Sequence, residues 1–223
     1  VQKYDDAEKC LKKAIQFKPD MKEAHNDLVM VLRKKGDNKS ALKVCIHALK
    51  SHENDDTLHR NKGNILYALD EPEKALEAFE KALDLNPYVV DTWVNKGTVL
   101  WKGLTERDKA LAPLDKALEI NPNRIDSNHC LGLTFYGLNQ FTKGKKIFEN
   151  ILTKNQFDYF AKRNFAIGQM KMGYIKDAIK TLLDVIPNLP ECTTSLYCLL
   201  ELSAFEKKLN ADDIVNQFKK ILS

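Results

Sequence analysis

A pattern of small and large apolar residues recurs along the chain at a spacing of 34 residues. Its clearest copy has the form A-x3-F-x2-A-x4-P and consists of Ala75, Phe79, Ala82 and Pro87. Related copies begin at five further positions: Ala7, Ala41, Ala110, Gly144 and Ala178. Only the step from Ala75 to Ala110 is 35 residues long. A period of this length indicates a chain built from stacked supersecondary units, each of which buries its apolar face only against its neighbours.

A second pattern precedes each copy of the first one, and it suggests a second helix. A large residue is followed by a small one and then by an apolar one, as in Trp93, Gly97 and Leu100. Small residues let two helices approach closely, and we expect crossing points at four positions: Gly63, Gly97, Gly132 and Ala166. Gly36 and Gly173 lie between the paired helices, where a helix C-terminus needs a left-handed residue.

Together the two patterns resemble the tetratricopeptide repeat family, whose units are helix–turn–helix pairs of 34 residues. The resemblance covers nearly the whole chain and implies an all-α fold, a right-handed α-solenoid (superhelix) of stacked antiparallel helix pairs. We predict a single domain over residues 1–223. Its parts are a partial repeat at 4–21, full repeats at 22–55, 56–89, 90–124, 125–158 and 159–192, and a C-terminal capping helix pair at 193–223.

Three residues depart from the family pattern. Lys62 and Lys96 occupy a packing position where the family usually has leucine, so each must extend to the surface or find a partner. Pro113 lies inside a predicted helix and lacks a backbone donor, so it should kink that helix or delay its start. It coincides with the 35-residue step, and we therefore expect the repeat at 90–124 to depart most from regular geometry.

Composition and motifs argue against catalysis and against several classes of ligand. No nucleotide-binding, hydrolase or zinc-protease motif is present, and the five cysteines are scattered without a CxxC pair. His25 and His59 share one packing position, which favours a structural role over a ligand role. No apolar run is long enough to span a membrane. We predict no enzyme activity, no cofactor, no metal, no small-molecule substrate, no membrane association and a cytoplasmic location.

The remaining candidate site is a polar stripe on the first helix of each repeat. Successive residues of an α-helix are rotated by about 100° around its axis, and this rotation places the stripe on a different side of the helix from the packing face. In the tetratricopeptide repeat family, which the chain resembles, such a stripe lines the concave groove in which ligands usually bind. The stripe carries an asparagine row, Asn61, Asn95 and Asn164, and an aromatic row, Tyr67, Trp101 and Tyr136. Four more residues complete the predicted site: Arg60, Asn64, Arg163 and Met170.

The two rows suggest a protein or extended-peptide partner. An asparagine amide both donates and accepts, so a row of amides suits an extended backbone of any sequence. The aromatic row should supply most of the affinity, because burying one aromatic side chain stabilises a complex by about 1.5–3 kcal/mol. A carboxylate clamp of the kind found in chaperone-binding members is not expected, because Asp126 and Cys130 stand where it needs cations.

Other functions are alternatives to a peptide-binding scaffold. An RNA-binding helical-repeat protein would have a basic groove, but the chain has only five arginines and carries Asp91 in the predicted stripe. Two further alternatives are that the segment is a targeting domain of a larger enzyme or complex, and that it associates with itself.

Overall fold

The computed structural model describes residues 2–188 and Cys198, and within them all regular secondary structure is helical. Eleven α-helices lie in this part of the chain: α1 Gln2–Phe17, α2 Lys22–Lys34, α3 Asn38–Ser51, α4 Asp56–Ala68, α5 Pro72–Leu85, α6 Val90–Thr98, α7 Leu111–Ile120, α8 Ile125–Gly137, α9 Phe141–Lys154, α10 Tyr159–Lys171 and α11 Ile175–Val185. The prediction of an all-α fold made of helix pairs is confirmed. The predicted capping pair at 193–223 lies outside the described residues, apart from Cys198.

The chain divides into two compact units, residues 1–122 and 123–223. In the first unit each helix from α1 to α7 packs against the next one in the chain, and α2 also contacts α4. In the second unit α8 to α11 pack in the same consecutive way, and α8 also contacts α10. In both units, therefore, first helices of neighbouring repeats lie side by side.

The turn inside each repeat contains one residue in the left-handed backbone region. Gly36 and Gly173 have φ angles of 81° and 84°, which confirms the role predicted for them. Asp70, Thr105 and Asn139 hold the same place in the three intervening repeats, with φ angles of 63°, 57° and 59°. Glycine adopts this region freely, whereas a β-branched threonine adopts it only under strain.

The repeat at 90–124 departs from regular geometry as predicted. A π-helical turn at Val99–Gly103 follows α6, and the Leu104 amide donates to the Val99 carbonyl oxygen at 2.9 Å. A π-turn takes one residue more than an α-turn, so it absorbs the extra residue of the 35-residue step. Pro113 is the third residue of α7, where the missing backbone donor has no intrahelical partner to lose.

Glycine permits close contact at the predicted helix crossings. A Cβ atom placed on Gly63 would lie 2.6 Å from Cε1 of Phe79, and one on Gly132 would lie 2.7 Å from Cε2 of Phe148. Both phenylalanines are almost completely buried. The phenylalanine of one helix therefore occupies the space that a side chain at the facing glycine would need, which is why glycine holds this position.

Candidate interaction surface

Asparagine side chains link the first helices of neighbouring repeats in the first unit. Asn61 Nδ2 on α4 donates to Asn26 Oδ1 on α2 at 2.9 Å. Asn95 Nδ2 on α6 donates to Asn64 Oδ1 on α4, also at 2.9 Å. We refer to the surface formed by these four asparagines with Arg60 and Asp91 as the polar face. The amide row predicted from the sequence is thus a set of inter-helix pairs.

Each asparagine pair retains hydrogen-bonding capacity after the internal bond is made. A side-chain amide has two N–H donors and an oxygen that accepts two bonds, and one internal bond uses only one of these on each partner. Asn26, Asn64 and Asn95 are partly exposed, whereas Asn61 is 6% exposed. A pair can therefore offer both a donor and an acceptor, which is the complement of one peptide unit.

An ion pair joins α4 and α6, the same two helices that the second asparagine pair joins. Arg60 Nη1 and Asp91 Oδ2 lie 3.4 Å apart, and their side chains are 24% and 44% exposed. Arg33 lies nearby on α2, and its pKa is lowered by burial and then by the positive charge of Arg60. Two guanidinium groups and one carboxylate thus lie close together at this end of the polar face.

The aromatic residues of the first unit differ in their surroundings. Tyr67 packs in the core cluster around Leu66 and Phe79, and burial raises the pKa of its phenol. Trp101 lies within the π-helical turn and is partly exposed, with the Lys102 ammonium 5.0 Å from its ring centroid. A position predicted for Trp101 from regular α-helical spacing does not include the rotation that the π-turn introduces.

In the second unit the predicted site residues are largely enclosed. Asn164 is 2% exposed, and its backbone oxygen accepts a hydrogen bond of 2.9 Å from the Tyr136 hydroxyl. Burial raises the pKa of Tyr136. Arg163 stacks on Phe160, with 4.3 Å from its guanidinium carbon to the ring centroid. Met170 packs against the apolar cluster of α10 and α11. The Asn164 side chain therefore does not form a third exposed amide beside Asn61 and Asn95.

Lys96, which the sequence left without an explanation, has a partner in the structure. Its ammonium lies 2.9 Å from Glu80 Oε1 on α5. Lys62 holds the same place one repeat earlier, but none of the described residues forms a hydrogen bond or ion pair with its ammonium. The two lysines share a sequence position and differ in surroundings.

A hydrogen bond from a ring nitrogen to a backbone carbonyl oxygen recurs in successive repeats, a contact that the sequence pattern did not predict. His25 Nε2 contacts the Pro19 carbonyl oxygen at 2.8 Å, and His59 Nε2 contacts that of Glu53 at 2.7 Å. Because a carbonyl oxygen only accepts, Nε2 carries the proton in both histidines. A structural role for the histidines is thus supported, and the described residues contain no group of three or more potential metal ligands.

Residues 57–88 match the model of a protein family described as tetratricopeptide repeat. The matched segment covers α4 and α5, the helices that carry Asn61, Asn64 and Phe79. This segment of the chain is a tetratricopeptide repeat. A comparison with curated protein sequences found no match. In the part of the chain that the structure describes, no helix is long and apolar enough to cross a membrane.

Solved structures show that the tetratricopeptide repeat fold extends well beyond the matched segment. YrrB, described as a TPR protein with an unusual peptide-binding site, is 21% identical with a TM-score of 0.68 over 84% of this chain and 96% of its own. PilW, described as a widely conserved type IV pilus biogenesis factor, is 22% identical with a TM-score of 0.75 over 90% and 91%. Pseudomonas aeruginosa PilF is 19% identical with a TM-score of 0.74 over 88% of both chains. At sequence identities this low, the three structures show that the chain shares their fold and show nothing of its function.

Proposed function

We propose that the chain is a non-catalytic scaffold that holds an extended segment of a protein partner against the polar face. The observation that supports this most is the pair of asparagine bridges, Asn26–Asn61 and Asn64–Asn95. Each bridge holds its amides in a fixed orientation before a partner arrives, so little side-chain entropy is lost on binding. YrrB, whose fold is similar, is described as having a peptide-binding site.

A protein segment suits this surface better than RNA does. Asp91 accompanies Arg60 on the polar face, and Asp27 and Glu23 are exposed on α2. These carboxylates would repel phosphate groups, whereas the amides match the donors and acceptors of a peptide backbone. We also propose that the protein is cytoplasmic, as the scattered cysteines suggest.

A peptide selected on the intact chain tests the proposal. Displayed random peptides would be selected against the chain, and the best one measured by isothermal titration calorimetry. We expect the double variant Asn64→Ala, Asn95→Ala to bind it about tenfold more weakly, because each lost hydrogen bond costs roughly 0.5–1.5 kcal/mol. Asn54→Ala, an exposed asparagine outside the polar face, is the matched control and should bind like the original chain.

Two further measurements distinguish backbone recognition from other modes of binding. N-methylation of the central peptide bonds removes their donors and should weaken binding to the original chain more than to the double variant. Trp101→Ala should weaken binding more than Asn95→Ala does, because a buried aromatic contributes about 1.5–3 kcal/mol. Equal affinity of the original chain and the double variant for every selected peptide would refute the polar face as the site.

A further inference from the structure

Two solvent-open grooves in the first unit lie between consecutive second helices of the repeats. One, of about 720 Å³, is formed by α1, α2 and α3, and the next, of about 810 Å³, by α3, α4 and α5. They are the same groove repeated, because their lining residues correspond at the 34-residue spacing. Three corresponding pairs are Lys12 and Ile46, His25 and His59, and Leu28 and Lys62.

The second groove, here called the Lys62 groove, contains Lys62, which has no acidic partner among the described residues. The equivalent lysine one repeat later, Lys96, forms an ion pair of 2.9 Å with Glu80. Ile46 stands 34 residues before Glu80, so Lys62 faces an aliphatic side chain where Lys96 faces a carboxylate. Ile46 is 45% exposed, although an isoleucine is normally covered.

The other charges around the Lys62 groove leave it slightly basic. Glu71 pairs with Lys74 at 2.5 Å, so it is already neutralised within its own helix turn. Glu77 and Lys81 also line the groove and are both exposed. Lys62 also lines the groove, and none of the described carboxylates is bound to it.

We propose that the Lys62 groove docks an amphipathic helix of a protein partner. An acidic side chain of that helix pairs with Lys62 as Glu80 pairs with Lys96. Its aliphatic side chains pack on Leu42 and Ile46, which line the groove beside Lys62. A helix fits because α3 and α5 flank the groove, and an apolar stripe with residues at i, i+3 and i+4 packs between two such helices. This surface differs from the polar face and binds independently of it.

The probe is a synthetic amphipathic helical peptide with leucines at i, i+3, i+4 and i+7 and one glutamate beside them. A second peptide has glutamine at that position. Backbone amide shifts of the chain would be followed by NMR during titration. We expect the glutamate peptide to shift signals of α3 and α5 and to bind about tenfold more tightly than the glutamine peptide, because the carboxylate pairs with the ammonium of Lys62.

The variant Ile46→Glu copies the arrangement of Lys96 and Glu80 within the Lys62 groove. Because Ile46 is exposed, the substitution leaves the core intact. It gives Lys62 an internal partner, and we expect the glutamate peptide to lose its tenfold advantage. Ile46→Gln is the matched control without the charge and should keep that advantage. The double variant Asn64→Ala, Asn95→Ala should bind the glutamate peptide as the original chain does.

Three results would overturn the proposal. Equal binding of the two peptides, or no binding of either at millimolar concentration, would show that Lys62 does not recruit a carboxylate. Shifts confined to the polar face would place the peptide elsewhere. Dimerisation that is abolished by Ile46→Glu, measured by sedimentation, would make a second copy of the chain the occupant in place of a partner helix.

Discussion

The indole Nε1 of Trp93 donates a hydrogen bond of 2.7 Å to the backbone carbonyl oxygen of Pro87. His59 and His25 make the same bond to the carbonyl six residues earlier in the two preceding repeats. Two histidines and one tryptophan thus serve one purpose: each joins the start of a first helix to the loop that leads into it. In these three repeats the residue at this position supplies a ring N–H.

The ring donor can be tested at His59 with two aromatic replacements. His59→Trp keeps a ring N–H, as Trp93 does, whereas His59→Phe removes it. We expect the tryptophan variant to exceed the phenylalanine variant in free energy of unfolding by about 1 kcal/mol, the net value of one hydrogen bond. Urea denaturation measures this difference. Equal stability of the two variants would mean that ring packing alone decides the residue type.

Replacing Thr105 with glycine should stabilise the folded chain. Its φ angle of 57° strains a β-branched residue, and Gly36 occupies the same turn position without strain. We expect Thr105→Gly to raise the free energy of unfolding by about 1 kcal/mol, since the relieved strain exceeds the greater chain entropy of glycine. The reverse exchange, Gly36→Ala, should destabilise the chain by a similar amount. Thermal unfolding of both variants checks the pair, and a lower melting temperature for Thr105→Gly would contradict the assignment of strain.

Gly63 should tolerate no side chain while Phe79 is present. A Cβ atom at Gly63 would lie 2.6 Å from the Phe79 ring, so Gly63→Ala must displace a buried aromatic. We expect a loss of about 1–3 kcal/mol in the free energy of unfolding, as is typical of overpacked cores. Adding Phe79→Leu to Gly63→Ala should cost less than the sum of the two single changes. Strict additivity in this double-mutant cycle would exclude the steric explanation.

Stability should fall at alkaline pH because of Tyr136. Burial raises the pKa of this phenol above its value in the unfolded chain, so the folded state retains a proton that the unfolded state releases. The free energy of unfolding should therefore decrease as the pH rises above about 10, the ordinary pKa of tyrosine. Tyr136→Phe should lose the bond to the Asn164 carbonyl and show a weaker decrease over the same range. Urea denaturation across that range, with Tyr67→Phe as comparison, measures the contribution.

The sequence contained enough information for the periodic features and too little for contacts between repeats. The positions of Gly63, Gly36 and Pro113 all followed from spacing, because helix crossings, turns and helix starts are set by local chain geometry. The pairing of Asn95 with Asn64 did not follow, since it joins different positions of two repeats and depends on how far α4 and α6 are offset. The enclosure of Asn164 depends on the reach of the Tyr136 side chain, which a helical projection does not include.

The π-helical turn at Val99–Gly103 confines the effect of one additional residue to a single turn. Ala110, Leu114 and Ala117 follow it and are still completely buried, as Ala75, Phe79 and Ala82 are in the repeat before. The insertion therefore changes the direction of the few side chains within the turn, Trp101 among them, and leaves the phase of the following helix unchanged. A repeat that can gain a residue in this way provides a place where surface chemistry can diverge while the core keeps its period.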